Sequence, residues 1–242
     1  MGKVVVLVSS KGGSGKSTIA VGLATAFANS DKKVLLIDAD EGARCLDSLL
    51  ALEQNTVADL ADVLNDFDIF YDAIVPVPNL KGVSIIMSPM LNQPIDFSKL
   101  SALLKWVEDK YDYIIVDTKG QIPAERLGNL LILADFIAVT TTDLISVKNT
   151  GTLVSELSKY NINCRLVINR FKPRDNKGKK FCIDDIIDSC RARLLGIVPE
   201  DKYINSFGKR PMSLSVASAA IHRIAARISG ADIKLPNIKD II

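Results

Sequence analysis

Short apolar runs alternate with longer amphipathic segments along most of the chain. Runs rich in Val, Ile and Leu occupy 4–9, 33–38, 83–87, 113–117, 136–140, 164–169 and 194–198. Such nearly continuous runs are typical of strands that are buried on both faces of a sheet. Between them, apolar residues recur every three or four positions, which is the helical period, over 100–109, 144–160 and 183–193; a further helix is expected over 16–29.

This alternation predicts an α/β fold, in which a doubly wound, mainly parallel sheet carries helices on both faces. No internal repeat, low-complexity tract or Gly/Ser linker divides the chain, so we expect a single domain over 1–242, with a tail of uncertain structure over 230–242. Two polar insertions interrupt the pattern, at 66–80 and 172–180. The second, KPRDNKGKK, is typical of an exposed loop.

Composition indicates the size of the core and the cellular compartment of the protein, but it says little about function. With 48% hydrophobic and 24% charged residues, the chain can bury a sizeable core. A net charge of +2 does not indicate nucleic-acid binding, so any such partner needs a local basic patch. The cysteines lack paired spacing, which indicates a reduced, cytoplasmic setting. The longest apolar window, 130–140, is well short of the roughly 20 residues that cross a bilayer.

The segment 9–18, SSKGGSGKST, follows the first predicted strand and opens the first predicted helix. It fits the phosphate-binding pattern GxxxxGK[ST] except that Ser10 replaces the first glycine. In that pattern the glycine-rich backbone and the helix N-terminus hold a polyphosphate. Lys16 would reach the β- and γ-phosphates, Ser17 would bind Mg²⁺ and Thr18 would contact the α-phosphate.

Carboxylates follow two other strands. Asp38 and Asp40 end the second apolar run, and Asp117 ends the fourth. Carboxyl ends of parallel strands gather at one edge, where ligands bind. A strand-ending Asp is often only a turn or a helix cap, but beside a phosphate loop we favour a role in holding Mg²⁺, with Asp40 placed to orient an attacking water.

Several motifs together resemble the MinD/ParA family of deviant phosphate-loop ATPases, and the likeness covers essentially the whole chain. They are KGGSGKST with its early lysine, DADEGARCLDSLL, YDYIIVD, the strand-end Asn-Arg pair and GIVPED. The pattern after the second strand looks more like MinD than like the plasmid-partition branch. The resemblance implies a P-loop NTPase fold of the SIMIBI type, with ATP and Mg²⁺ as cofactors.

The resemblance also implies roles for individual residues. Lys11 would reach across a two-fold dimer to the phosphates of the other subunit. Lys11, Lys16 and Asp40 would act in catalysis. Asp38 and Asp117, with Ser17, would surround Mg²⁺. Asn169 would read adenine. Phosphate contacts fall to Gly12, Gly13, Ser14, Gly15, Lys16, Ser17 and Thr18, and base contacts to Asn169, Arg170, Pro199, Glu200 and Asp201.

Two positions depart from the family pattern. Asp117 is followed by Thr118-Lys119-Gly120-Gln121, where the family usually has a Pro-Ala-Gly-like turn that senses the γ-phosphate. Gly120 can supply the flexible N–H, but Lys119 in place of proline changes the switch, so we expect slower or differently triggered hydrolysis. Cys45 stands where asparagine is common.

The function implied is an ATP-dependent switch that dimerises on ATP, hydrolyses it slowly under the stimulus of a protein partner, and acts in spatial organisation such as division-site placement. One alternative is a partition ATPase that binds DNA through the basic residues of the second insertion. Those residues are Lys172, Arg174, Lys177, Lys179 and Lys180. Another is a weakly hydrolysing scaffold in a polar-localisation or appendage system.

The tail SGADIKLPNIKDII is the segment that could bind a membrane surface. Pro236 interrupts any helix, and Lys234 and Lys239 are balanced by Asp232 and Asp240. It is a weak basic amphipathic anchor. A tail that packs on the body or on a partner is favoured, and peripheral binding to the inner face of the cell membrane is the alternative.

Overall fold

The computed structural model describes residues 1–41, 44–52, 56–89, 93–172, 182–202, 204 and 215–235. Within them lies one eight-stranded sheet with the order β3-β4-β2-β5-β1-β6-β7-β8. The strands are β1 Lys3–Val8, β2 Val34–Ala39, β3 Val75–Pro76, β4 Val83–Ile86, β5 Tyr113–Thr118, β6 Asp135–Thr140, β7 Arg165–Phe171 and β8 Arg193–Pro199.

Nine α-helices connect or flank these strands in the described part of the chain. They are α1 Lys16–Ala28, α2 Cys45–Leu50, α3 Leu60–Asn65, α4 Phe70–Ala73, α5 Phe97–Val107, α6 Leu130–Leu133, α7 Leu144–Ser158, α8 Ile183–Cys190 and α9 Val216–Ile228. Short 3₁₀ turns lie at Phe67–Ile69 and Ala124–Leu127. None of the helices in the described ranges is long and apolar enough to cross a membrane.

Neighbouring strands are parallel except for β3, which pairs antiparallel with β4 at the edge. The carboxyl ends of β1, β2, β5, β6 and β7 therefore lie at the same edge of the sheet. In this register Leu7 lies opposite Asp117, and Asp117 lies opposite Asp38. The loops that carry the candidate chemistry are thus brought together by strand pairing.

The sheet separates two hydrophobic cores. Val4, Val6 and Val8 of β1 point into one, together with residues of α3 to α8, whereas Val5 and Leu7 point into the other with α1, α2 and α9. Each strand of the central sheet is buried on both faces, which explains its continuous apolar sequence. The predicted doubly wound, mainly parallel α/β fold is confirmed. One domain over all of 1–242 stays a prediction.

The insertion 66–80 contains more structure than its polar sequence indicated. It forms the 3₁₀ turn Phe67–Ile69, helix α4 and strand β3, and buries Phe70, Ala73 and Val77. These elements are too short for a period of 3.6 or 2 to be visible in the sequence. Pro76 fits β3 because an edge strand leaves one row of N–H groups unpaired.

The beginning of the tail is tied to the body of the protein. The guanidinium of Arg227 on α9 donates to the carbonyl oxygens of Leu195, Ile233 and Lys234, at 3.0, 2.8 and 2.7 Å. One planar group thus joins β8 to the chain after α9. Residues 236–242, on which the membrane alternative depends, lie outside the described residues.

Packing between α7 and α8 gives a test of the fold. A Cβ added to Gly151 on α7 would lie 2.4 Å from the backbone oxygen of Ser189 on α8. Alanine is about 1 kcal/mol better than glycine inside a helix, but overpacking against backbone costs about 1–3 kcal/mol. We therefore expect Gly151→Ala to lower the free energy of unfolding by up to about 2 kcal/mol in urea denaturation, instead of raising it by the roughly 1 kcal/mol that helix propensity alone would give.

The adjacent exposed position provides the control. Thr152→Ala should change the free energy of unfolding by no more than about 0.5 kcal/mol, because it alters the same helix without touching α8. A Gly151→Ala protein about 1 kcal/mol more stable than the wild type would show the helix-propensity gain without the overpacking cost, and would mean that the two helices are not in the close contact described.

Candidate functional site

The loop between β1 and α1 leaves the first turn of the helix open to a ligand. Gly13 and Gly15 have φ values of 77° and 88°, a left-handed conformation that favours glycine. Gly15 is the N-cap of α1 and has no side chain to satisfy the N–H groups that follow. These amides and the positive end of the helix are available to an anion, as the sequence predicted.

Asn169, near the end of β7, holds this loop in place. Its Nδ2 donates to the carbonyl oxygen of Ser14 at 2.9 Å, and the residue is buried. A Cβ on Gly15 would approach Nδ2 to 2.2 Å, so this contact also requires glycine at position 15. One N–H of this amide is engaged with the loop, so the carbonyl oxygen and the second N–H of Asn169 remain for a contact with a base.

Asp38 and Asp117 face one another at the ends of β2 and β5, with exposures of 1% and 0%. Asp38 Oδ1 accepts from the Asp40 amide at 3.0 Å. Neither carboxylate oxygen of Asp117 has a hydrogen-bond partner among the described residues. Burial, with the neighbouring charge of Asp117, raises the pKa of Asp38 to about 7. Burial raises the pKa of Asp117 to about 6, against the lowering effect of Lys16 and Ser17.

Two buried carboxylates with raised pKa values form a site that a cation would stabilise. No cluster of three or more His, Cys, Asp or Glu residues able to hold a metal occurs in the ranges that the structure describes. Mg²⁺ fits this donor set, because it is bound through one or two carboxylates and takes its other ligands from water and phosphate oxygens. Ser17 would add a hydroxyl.

Lys16 and Asp40 complete this part of the site. Lys16 is buried at the start of α1. Burial raises the pKa of the Asp40 carboxyl, while Lys16 and Lys119 act to lower it. The structure therefore brings together the residues that the sequence predicted around the phosphates and the metal. These are Lys16, Ser17, Asp38, Asp40 and Asp117.

Lys11 is paired within the same chain. Its Nζ lies 2.7 Å from Oδ2 of Asp143, the N-cap of α7. Partial burial raises the pKa of the Asp143 carboxyl, but hydrogen bonds from Lys11, Thr141 and the Ser146 amide lower it to about 2. Sequence reasoning missed Asp143 as the partner of Lys11. Its only sequence signal was an Asp immediately before a helical pattern.

A cavity of about 530 Å³ lies beside the loop. Its volume is in the range of small-molecule sites. Arg170, in a left-handed conformation with φ 54°, lies at a register shift between β7 and β8. The cavity is lined by Thr18, Asn169, Arg170, Pro199, Glu200, Asp201, Lys202 and Ile204. Every predicted base contact is among these residues. Sequence reasoning missed Lys202 and Ile204.

The segment after β5 packs directly on the phosphate loop. A Cβ on Gly120 would lie 2.8 Å from the backbone nitrogen of Gly12, and the Gln121 amide donates to the Ser9 oxygen at 2.9 Å. Sequence reasoning singled out Lys119 and Gly120 here. It missed Glu41 and Arg126, which form an ion pair of 2.5 Å beside this segment.

Comparison with known proteins agrees with a nucleotide-binding site at this loop. Residues 5–214 match the family described as the CobQ/CobB/MinD/ParA nucleotide binding domain. The septum site-determining protein MinD of Synechocystis is 34% identical over 96% of this chain and 91% of its own length. A chain of the MinC:MinD cell division protein complex from Aquifex aeolicus superposes with a TM-score of 0.85, at 30% identity over 97% of this chain and 99% of that one.

A structure of MinD from Pyrococcus horikoshii complexed with Mg-ADP has a TM-score of 0.79 and 23% identity, and covers 96% of this chain and 100% of that one. At that identity the likeness shows the fold alone. The family match covers more than half of the chain, and the relatives match it along nearly its whole length. The chain therefore belongs to the CobQ/CobB/MinD/ParA family of nucleotide-binding domains, and the septum site-determining MinD proteins are among its relatives.

Proposed function

We propose that the protein is an ATPase that works as a dimerising switch and, like its MinD relatives, acts in placing the division site. The observation that carries the proposal is the pair of buried carboxylates, Asp38 and Asp117, at the mouth of an open phosphate loop. A protein that used this fold only as a scaffold would gain nothing from carboxylates whose burial raises their pKa.

Nucleotide binding divides between two regions of the site. The backbone of 12–15 and the side chain of Lys16 hold the phosphates. Thr18 follows on the same helix and lines the adjacent cavity together with Asn169, Arg170 and Pro199. Asn169 Oδ1 accepts from the amino group of adenine, which favours ATP over GTP. Glu200 and Asp201 border the same cavity.

The metal site has the character expected for Mg²⁺. Asp38 and Asp117 hold the ion directly or through its water, and Ser17 contributes its hydroxyl. When bound, Mg²⁺ neutralises negative charge on the phosphates. Asp40, half-buried beside Lys16, orients the attacking water. Because Lys119 stands where the family usually has proline, we expect hydrolysis to be slow and to be stimulated by a partner.

Dimerisation on ATP uses Lys11. In the single chain this lysine is partly exposed and bound to Asp143. An exposed pair of this kind contributes about 0–1 kcal/mol, so a triphosphate in a second subunit can compete for the ammonium. Leu144 and Ile145, adjacent to Asp143, are exposed apolar side chains that a dimer or a protein partner would cover. A partner comparable to the MinC of the Aquifex complex is consistent with such a surface.

The DNA-binding alternative has less support. Of its five basic residues only Lys172 is described, and its Nζ forms an ion pair with Glu200 at 2.8 Å. Arg174, Lys177, Lys179 and Lys180 lie outside the described residues. A phosphate-binding lysine that is already paired with a carboxylate contributes less to DNA affinity.

Asp38 and Asp117 predict how the stability of the metal-free protein depends on pH. Both pKa values are raised from 3.8, so the stability these groups confer is fully present below about pH 4 and is lost as pH rises through 6 and 7. In EDTA we expect Asp38→Asn to reduce this loss by at least about 1 kcal/mol between pH 5 and 8, measured by urea unfolding.

The same variant should lose stabilisation by Mg-ATP at pH 8. Asp66→Asn provides a matched control, because Asp66 is the exposed N-cap of the 3₁₀ turn Phe67–Ile69 and asparagine is as favourable as aspartate at such a position. Parallel stability curves for wild type and Asp38→Asn over this pH range would contradict the burial of an ionisable pair.

Lys11 gives a direct test of the dimer. With Mg-ATP and hydrolysis blocked by Asp40→Ala, light scattering should report a dimer. Adding Lys11→Ala should raise the dimer dissociation constant by more than about tenfold, because a charge-assisted contact across the interface is lost. The control Lys105→Ala removes an exposed lysine on α5 and should leave the dimer intact. A dimer dissociation constant that Lys11→Ala leaves unchanged refutes the role assigned to this residue.

The tail is tested by co-sedimentation with anionic phospholipid vesicles, with and without ATP. Because residues 233–234 are tied to Arg227 and the tail sequence is a weak anchor, we expect the full chain and a chain ending at Gly230 to sediment equally little. ATP-dependent sedimentation of the full chain alone would establish the membrane alternative.

A further inference from the structure

Glu41 is a largely buried carboxylate at which three positively polarised groups converge. Its side chain is 8% exposed. Oε1 accepts from Arg126 Nη2 at 2.5 Å and from the Ile95 amide at 2.9 Å. Arg126 Nη1 lies 3.5 Å from Oε2, and Lys119 Nζ lies 3.8 Å from the same oxygen.

These contacts are unequal. Arg126 binds both carboxylate oxygens, and its guanidinium lies 5.8 Å from the centre of the Phe97 ring. With the Ile95 amide it satisfies Glu41 without further help. Lys119 is the most distant of the three and is 48% exposed. An ion pair at 3.8 Å with a half-exposed lysine is weak, and because Arg126 and the Ile95 amide already bind Glu41, Lys119 can leave without leaving a buried charge unpaired.

Lys119 is also close to where phosphates would bind. It lies two residues after Asp117 and immediately before Gly120, whose backbone packs on Gly12 and Lys11 of the phosphate loop. Lys119 and Lys16 both lower the pKa of Asp40, so each ammonium acts on the same carboxylate. Negative charge accumulates here: Asp38, Asp40 and Asp117 line the site, and Lys16 is the buried cation that faces them.

We propose that Lys119 is a second cation for the terminal phosphate of a nucleoside triphosphate, supplied by the same chain that binds the nucleotide. The inference rests on the proposed function and adds a residue to it. When a terminal phosphate is present, the Lys119 ammonium exchanges Glu41 for a phosphate oxygen, while Arg126 keeps Glu41 paired. A diphosphate offers no such oxygen, so this contact distinguishes the two nucleotides.

Lys119 is also connected to backbone that packs on the phosphate loop. Lys119 is joined directly to Gly120, and the Gln121 amide is bonded to Ser9. The lysine that would turn toward a phosphate therefore belongs to a segment that packs against the phosphate loop. Proline at this position would lack both the cation and the N–H group.

The test uses Lys11→Ala as the parent, so that no lysine from a second subunit contributes to the preference for triphosphate. Isothermal titration measures binding of Mg-ADP and of Mg²⁺ with adenosine β,γ-imidotriphosphate. We expect Lys119→Gln to weaken binding of the imidotriphosphate by roughly tenfold and to leave binding of ADP within about twofold. Lys119→Arg should stay within about threefold of the parent for both ligands.

Lys105→Gln in the same parent is the control. It removes the same charge from an exposed position on α5 and should alter neither affinity. Unchanged ADP binding by Lys119→Gln shows that the variant is folded.

The proposal is overturned if Lys119→Gln leaves the ratio of the two affinities unchanged, whether both are unaffected or both fall together as a merely structural role predicts. If the parent and the wild type bind neither nucleotide, the proposed function itself fails. A parent that prefers the triphosphate with or without Lys119 refutes this inference alone.

Discussion

The candidate site depends on the placement of two carboxylates, Asp38 and Asp117, which lie buried at adjacent strand ends of the sheet. Parallel pairing of β2 and β5 fixes them opposite each other, and burial raises both pKa values. Apolar residues at these positions would give a more stable protein. The fold retains a destabilising pair that a metal ion would relieve, so stability and ligand binding are coupled at this point.

Three strands support the loop that faces this pair. β1 leads into it, Asn169 at the end of β7 holds it through the Ser14 oxygen, and the segment after β5 packs on Gly12. The loop therefore cannot shift without disturbing contacts on both sides. A phosphate that orders it also acts on the segment containing Lys119, and through Glu41 on Arg126 and Ile95. Contacts thus connect the loop through the segment of Lys119 and through Glu41 to Arg126, whose side chain is 40% exposed.

The sequence predicted the parts of this arrangement that depend on local pattern. Continuous apolar runs located seven strands, and the loop motif located the open helix terminus, because both signals lie within a few residues. It could not predict Asp143 as the partner of Lys11, since the two are 132 residues apart, or Arg126 as the partner of Glu41, 85 residues away. The sequence also could not show that the Asn169 amide donates a hydrogen bond to the carbonyl oxygen of Ser14, 155 residues earlier. Pairings of this kind are set by strand order.

The two lysines that are proposed to contact phosphate differ in how firmly the single chain holds them. Lys11 is 2.7 Å from Asp143, whose carboxylate is further stabilised by Thr141 and the Ser146 amide. Lys119 is 3.8 Å from Glu41, which Arg126 already satisfies. The weaker pair exchanges at lower cost and needs only the nucleotide, whereas the stronger one exchanges only against the phosphates of a second subunit. On this argument the response is ordered: nucleotide engages Lys119 within the chain first, and dimerisation through Lys11 follows.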